Sequence, residues 1–180
     1  MNKVIAFSPL QKKHFSLLLK WLETPHIKKW WDPNINWTLK LIQKKYSTYV
    51  KRFKRLELKS QIIEKPMYAF IINYDGIDIG YIQCYNKSDF PPERGYSTLL
   101  LPESCAAIDL YIGELDYVGK QIGPQVLDVF LNEFVFKIFE NAFVDPDAAN
   151  IHAIRTYEKA GFKKIKEENN TVFMVKTSPM

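Results

Sequence analysis

The stretch AIDLYIGELDYVGKQIGPQVLDVFL, residues 107–131, constrains the fold of this chain more than any other. Apolar residues mark a strand over residues 106–113, and a turn containing Gly119 and Gly123 follows. Pro124 is well placed in a first helical turn, and Val126, Leu127, Phe130, Phe134 and Ile138 then recur at helical spacing. A strand that passes through a glycine turn into a helix commits the chain to layers of sheet and helix. The unpaired amides of such a helix start, with the positive end of its dipole, attract anions. Glycines at 119 and 123 let the backbone approach a phosphate closely. Taken alone, the same turn serves equally well as a plain connection.

The remaining elements follow from spacing and punctuation. Phe15, Leu18, Leu19 and Leu22 predict a first helix after Ser8-Pro9, ending near Thr24-Pro25. Thr38 is a plausible N-cap for a second, with Leu39, Ile42, Tyr46, Tyr49, Phe53 and Leu56 on one stripe. Its other faces carry Lys40, Lys44, Lys45, Lys51, Arg52, Lys54, Arg55 and Lys59, a solvated face or a surface for an acidic partner. MYAFIINYDGIDIGYIQCY reads as two strands joined at Asp75-Gly76. Then come a strand at NAFVD, a helix over residues 150–160 closed by Gly161, and a strand pair around Asn169-Asn170. The fold class is α/β (α+β), a sheet layered with helices.

With 180 residues, 47% of them hydrophobic, the chain reads as one domain spanning 1–180. No run approaches the roughly 18 apolar residues of a membrane span, and the first residues lack a signal peptide's pattern, so a cytoplasmic protein without a membrane partner is expected. Cys84 and Cys105 have no metal-type spacing and are expected to be reduced thiols. Residues 1–65 hold 15 Lys and Arg against 4 Asp and Glu, whereas residues 66–150 hold 4 against 13. Carboxylates gathered at a site favour a cationic substrate, and basic groups favour phosphates. No recognition motif for nucleic acid accompanies the basic segment, and none is expected to bind.

A second stretch, DPDAANIHAIRTYEKAGF at residues 145–162, gives the phosphate turn a context. Its Asn150, Ala153, Tyr157, Lys159, Gly161 and Phe162 match N-x-x-A-x-x-x-Y-x-K-x-G-F, and with VGKQIG the chain resembles the GNAT acyltransferases. PHIKKWW at 25–31, IGYIQCY at 79–85 and AIDLYIGE at 107–114 look most like the aminoglycoside 6'-N-acetyltransferases; residues 34–65 and 86–104 match poorly.

The resemblance implies a mixed central sheet of about six or seven strands, mostly antiparallel and flanked by helices. It implies acetyl-CoA as co-substrate, no metal, a small-molecule amine as acceptor, and a monomer or homodimer. The cofactor would lie against Leu110, Tyr111, Ile112, Val118, Gly119, Lys120, Gln121, Ile122, Gly123, Pro124, Asn150, Ala153 and Lys159. Asp109 would hold and deprotonate the amine, and Tyr157 would supply a proton to the leaving thiolate. An Asp flanked by Ile108 and Leu110 in an apolar strand is locally unfavourable, which itself points to function. Trp31, Asp32, Gln83, Tyr85 and Asp145 would line the substrate site.

The superfamily's turn usually reads R/Q-x-x-G-x-G/A, whereas Val118 stands here at the first place and Gln121 where the middle glycine belongs. A non-glycine there still donates its amide if its dihedrals are ordinary. Residues 96–105 read YSTLLLPESC where the resistance enzymes often carry acidic and aromatic residues. Two alternatives therefore stand beside an aminoglycoside acetyltransferase: an acyltransferase acting on a hydroxylamine such as N-hydroxylysine, and a non-catalytic CoA-binding module.

Overall fold

Asp75 and Gly76 form the expected hairpin turn, both with positive φ, 51° and 83°. A two-residue turn needs this to match the twist of its strands. They join β4 (Tyr68–Tyr74) to β5 (Ile77–Asn86), and the Gly76 N–H donates to Asn73 Oδ1 at 2.9 Å. The computed structural model describes residues 4–59, 61–90 and 101–179. Among these, seven strands form one sheet in the order β1-β4-β5-β6-β7-β9-β8, and β2 and β3 pair separately. The six or seven strands expected are thus seven. By internal packing the chain divides into two units, residues 1–83 with 110–118 and residues 84–109 with 119–180.

In the first unit, β1 (Ile5–Pro9) pairs antiparallel with β4, from Ile5↔Tyr74 to Pro9↔Phe70. Ser8-Pro9 therefore ends a strand and does not start a helix. Proline is tolerated there because an edge strand has one unladdered side. A single 3-10 turn, Lys12–His14, leads into α1 (Phe15–Leu22), which buries Phe15, Leu18, Trp21 and Leu22. Thr24-Pro25 does end that helix, and Pro25 opens a one-turn α2 (Pro25–Lys28). Thr38 caps α3 (Leu39–Val50), its Oγ1 accepting the Leu41 N–H at 3.3 Å. The stripe read onward to Phe53 and Leu56 is corrected here. Arg52 adopts φ 65°, the chain reverses, and β2 (Phe53–Glu57) pairs with β3 (Ile62–Pro66). Lys54 and Arg55 consequently lie on a hairpin, where the apolar spacing of a helix and of a half-exposed strand coincide over too few residues to be told apart.

His14 carries a pH dependence. It is buried, and its Nδ1 accepts the Gln11 N–H at 3.1 Å. Burial, then the charge of Lys13, hold its pKa below the ordinary 6.5, with Asp78 opposing. The folded state therefore prefers the neutral ring. This stabilisation is complete above pH 6.5 and is lost as pH falls through the lower folded value. Thermal unfolding is expected to show Tm declining as pH falls below 6.5 in the wild type, and more shallowly in His14→Gln, which takes up no proton.

In the second unit, the first residues of β6 (Cys105–Ile112) run parallel to β7 (Asn141–Val144), with Cys105↔Asn141 and Ala107↔Phe143 in register. Antiparallel β9 (Thr171–Thr177) follows β7, and β8 (Lys163–Glu168) follows β9. Asn169 and Asn170, φ 50° and 59°, make the last hairpin turn. Helix α4 (Ile122–Phe130) buries Ile122, Val126, Leu127 and Phe130 and continues as one π turn over Leu131–Val135. That wider turn shifts the apolar face, so Ile138, read as part of the helix stripe, lies beyond it and is 68% exposed. Helix α5 (Ile151–Lys159) is capped by Asn150, whose Oδ1 accepts the Ala153 N–H at 3.2 Å. No helix among the described residues is long and apolar enough to cross a membrane.

Candidate active site

Strand alternation puts Cys105, Ala107 and Asp109 of β6 on one face. Cys105 and Ala107 pack there with Phe143 and Phe173, and Tyr85 adjoins them, its ring 5.6 Å from Phe90. Asp109, beyond the buried cluster, is half-buried. Tyr157 is the buried residue of α5 and sets its ring 5.7 Å from Phe162. Burial, then the charges of Asp109 and Asp145, hold its phenol well above the ordinary tyrosine value, so the hydroxyl stays protonated. Both carboxylates thus act on one phenol, and three of the predicted residues come together. Cys84, on β5, had no role in the sequence reading. It is buried, and burial with the Asp109 charge pushes its thiol up to about 12. A thiol so held is inert. Lys87 was also missed. Its side chain is buried, with Nζ 5.4 Å over the Phe143 ring.

The predicted phosphate turn has a definite conformation. Val118 is extended, Gly119 adopts φ 77°, Lys120 is exposed, and Gln121 is left-handed at φ 58°, ψ 25° before helical Ile122. The dihedrals at Gln121 are therefore not the ordinary ones. A left-handed residue beside a right-handed one turns successive peptide N–H groups into a concavity suited to an anion. Gly123 serves packing too: a Cβ there would stand 2.8 Å from Thr156 Cγ2, so its absence lets α4 approach α5. Pro124 adds no amide. Because a left-handed side chain costs about 1–2 kcal/mol and glycine's extra chain entropy returns part of this, Gln121→Gly is expected to stabilise the protein by about 0.5–1 kcal/mol. A thermal melt would show it as a rise of about 1–4 °C.

In the first unit, Trp31 stands edge-on to Tyr111 at 4.9 Å and to Tyr81 at 6.0 Å, while Tyr81 and Tyr111 stack at 5.5 Å. Burial, then Tyr46 and Asp32, hold the Tyr111 phenol well above its ordinary value. The Tyr111 side chain belongs to this aromatic cluster and is not free to meet a cofactor. Asp32 has φ 50° and pairs with Lys45 at 2.9 Å, so a substrate cation would compete with an ammonium already present. Gln83 is buried, its Oε1 accepting the Tyr81 hydroxyl at 2.7 Å. The Gly113 N–H donates to Ile79 O at 2.7 Å, so Tyr111 and Gly113 turn their peptide groups towards β5. Leu110 and Ile112 turn theirs the other way, and the ladder of β6 with β7 pairs Cys105 to Ala107. Residues 96–100 of the segment YSTLLLPESC, where the chain departs from the resistance enzymes, lie outside the described residues. Lys159 is exposed in the last turn of α5. Among the described residues, no group of three or more His, Cys, Asp or Glu is placed to hold a metal ion.

Comparison with known proteins gives these features a family. Aminoglycoside N(6')-acetyltransferase type 1 of Klebsiella pneumoniae is 25% identical over 183 residues, covering 98% of this chain and 84% of that protein. The solved structure of the aminoglycoside acetyltransferase AAC(6')-Ib with paromomycin and acetyl-CoA superposes with a TM-score of 0.78 at 24% identity, over 96% of this chain and 93% of the other. An aminoglycoside N(6')-acetyltransferase from Legionella pneumophila superposes with a TM-score of 0.65 at 22% identity, over 97% and 92%. These two structures share the fold. The model of the acetyltransferase (GNAT) domain matches residues 11–169, and the chain belongs to that family of acetyltransferases.

Proposed function

We propose that the protein moves the acetyl group of acetyl-CoA to a primary amine of a small polycationic substrate, first among them the 6'-amine of an aminoglycoside. The observation that carries this reading is the action of Asp109 and Asp145 on the buried phenol of Tyr157. Two carboxylates suit an ammonium, and a phenol held protonated suits a departing thiolate. The concavity at Gln121 and Ile122, with Lys120 beside it, fits a diphosphate, and the outward peptide groups of Leu110 and Ile112 fit an amide-bearing arm. Asn150 and Ala153 begin the helix that carries Tyr157, and Lys159 adds a cation near its end.

Acetyl-CoA supplies an activated carbonyl with a thiol leaving group. Asp109 attracts the substrate ammonium, orients it, and accepts its proton directly or through water. The C–N bond forms as the C–S bond breaks. Tyr157 hydrogen-bonds the developing thiolate, which ends as the thiol. Of the two protons the nitrogen loses, one passes by way of Asp109 to solvent and the other ends on the sulfur, whose negative charge the Tyr157 hydrogen bond stabilises until it is protonated. Within the second unit, Tyr85 and Asp145 would grip the rest of the substrate. The enzyme would work in the cytoplasm, as a monomer or homodimer.

The segments YIGE at residues 111–114 and VGKQIG at 118–123, which resemble those of siderophore-type acyltransferases, support a second reading, an acyltransferase acting on a hydroxylamine such as N-hydroxylysine. Thiol release from acetyl-CoA, followed with an aminoglycoside panel and with N-hydroxylysine, tests both. Turnover of an aminoglycoside with a kcat/KM at least tenfold above that of N-hydroxylysine is expected. The reverse order would transfer the assignment to the second class, and binding of CoA without turnover of any amine would leave only a binding module.

A further inference from the structure

We infer that His26 and Trp21 are positioning residues for the acyl donor, acting through the end of β6; the inference rests on the acetyl-CoA reading above. The carbonyl of Ile112 points away from β5, to the edge where the donor's arm is proposed to lie. That carbonyl lies 3.0 Å from His26 Nε2. Because a carbonyl only accepts, Nε2 carries the hydrogen and donates it, and the lone pair of the neutral ring lies on Nδ1. Nδ1 is itself buried, without a hydrogen-bond partner among the described residues.

The next two residues are held as firmly. Ile79 O accepts both the Gly113 N–H, at 2.7 Å, and the Glu114 N–H, at 3.1 Å. Glu114 Oε1 accepts from Trp21 Nε1 at 2.8 Å and from Lys20 Nζ at 2.6 Å, and the Lys20 bond, then the Trp21 bond, hold this carboxyl below the usual glutamate range. A Cβ at Gly113 would stand 2.2 Å from the Trp21 ring, so any other residue there would displace one or the other. Each of residues 112–114 is therefore tied to the helices α1 and α2. Ile112 ends the strand backbone assigned to the donor, Gly113 and Glu114 follow it, and three residues then lead to the phosphate turn at Val118. A strand end fixed at three successive residues presents its peptide groups in one arrangement, which spares a ligand the entropy of ordering them.

His26 hydrogen-bonds the strand assigned to the donor, and a base role would be the obvious competitor. Protonated and neutral imidazole both donate through Nε2, so a positioning role predicts no change in the shape of the pH profile, whereas loss of a base would remove its acidic limb. The test is calorimetric binding of acetyl-CoA, with steady-state kinetics on an amine that the wild type acetylates. His26→Leu is expected to raise the Kd and KM for acetyl-CoA about tenfold, with kcat within threefold and the pH profile unchanged in shape. His26→Gln, whose amide N–H reaches the same carbonyl, is expected to restore most of the affinity. Trp21→Phe keeps an aromatic ring, though a smaller one, and loses the bond to Glu114, and should weaken acetyl-CoA severalfold even if the leucine variant does not fold. Unchanged donor affinity in a folded His26→Leu or in Trp21→Phe overturns the inference, as does an altered pH limb. A wild-type protein that does not bind acetyl-CoA refutes the donor reading instead, and shows this before any substitution is made.

Discussion

Asp109→Asn is expected to lower kcat/KM by about two to three orders of magnitude, or about 2.7–4 kcal/mol of transition-state stabilisation. The replacement keeps the size and hydrogen-bonding reach of the side chain and removes its charge and its capacity to take a proton. Both losses fall on the step in which an ammonium must arrive and become a neutral amine. Protein stability should change little, because the residue is half-buried at the edge of the Cys105, Ala107, Phe143 and Phe173 cluster and not within it. The same substitution relieves the buried Cys84 thiol and the Tyr157 phenol of a nearby negative charge, so both should become more acidic. Steady-state kinetics on the purified variant, with a melt to confirm folding, decide the matter; kcat/KM within threefold of the wild type would exclude Asp109 from the chemistry.

Where a local rule has a mechanism, the chain followed it. Asp75-Gly76 and Asn169-Asn170 turn with positive φ, while Thr38 and Asn150 cap helices through their side chains. The failures share a cause. Strand β1 is five residues with a proline at its end, and only its pairing with β4 makes it a strand. Phe53 and Leu56 continue a helical stripe in the sequence, yet Arg52 reverses the chain before they can occupy it. Ile138 lost its place to a π turn, which no spacing rule for a regular helix anticipates.

The candidate site divides in the same way. Asp109, Tyr157 and the turn at Gln121 were legible because they lie in contiguous motifs. Cys84, Lys87 and His26 were not, since each takes its meaning from a neighbour far along the chain: Asp109, Phe143 and Ile112 respectively. Glu114 was visible only as part of a matching segment. Its function as the anchor of Trp21 needed the fold, because 93 residues separate the two.

Tyr157→Phe carries the second large effect, a fall in kcat of about a hundredfold with acetyl-CoA as donor. The phenol is buried, and two carboxylates keep it from ionising, so at any physiological pH it presents a hydrogen to whatever base approaches. A thiolate leaving group ordinarily has a pKa near 8.5, well below that of this phenol. Complete proton transfer is therefore uphill, and the advantage Tyr157 offers is a hydrogen bond that strengthens as negative charge grows on sulfur. That advantage should scale with the basicity of the leaving group. With a donor whose thiol is strongly acidic, departure needs no such help, and the defect of Tyr157→Phe is expected to shrink to less than about threefold. A penalty equal for both donors would assign Tyr157 to packing against Phe162 or to binding, and would leave the departing sulfur to be protonated by solvent.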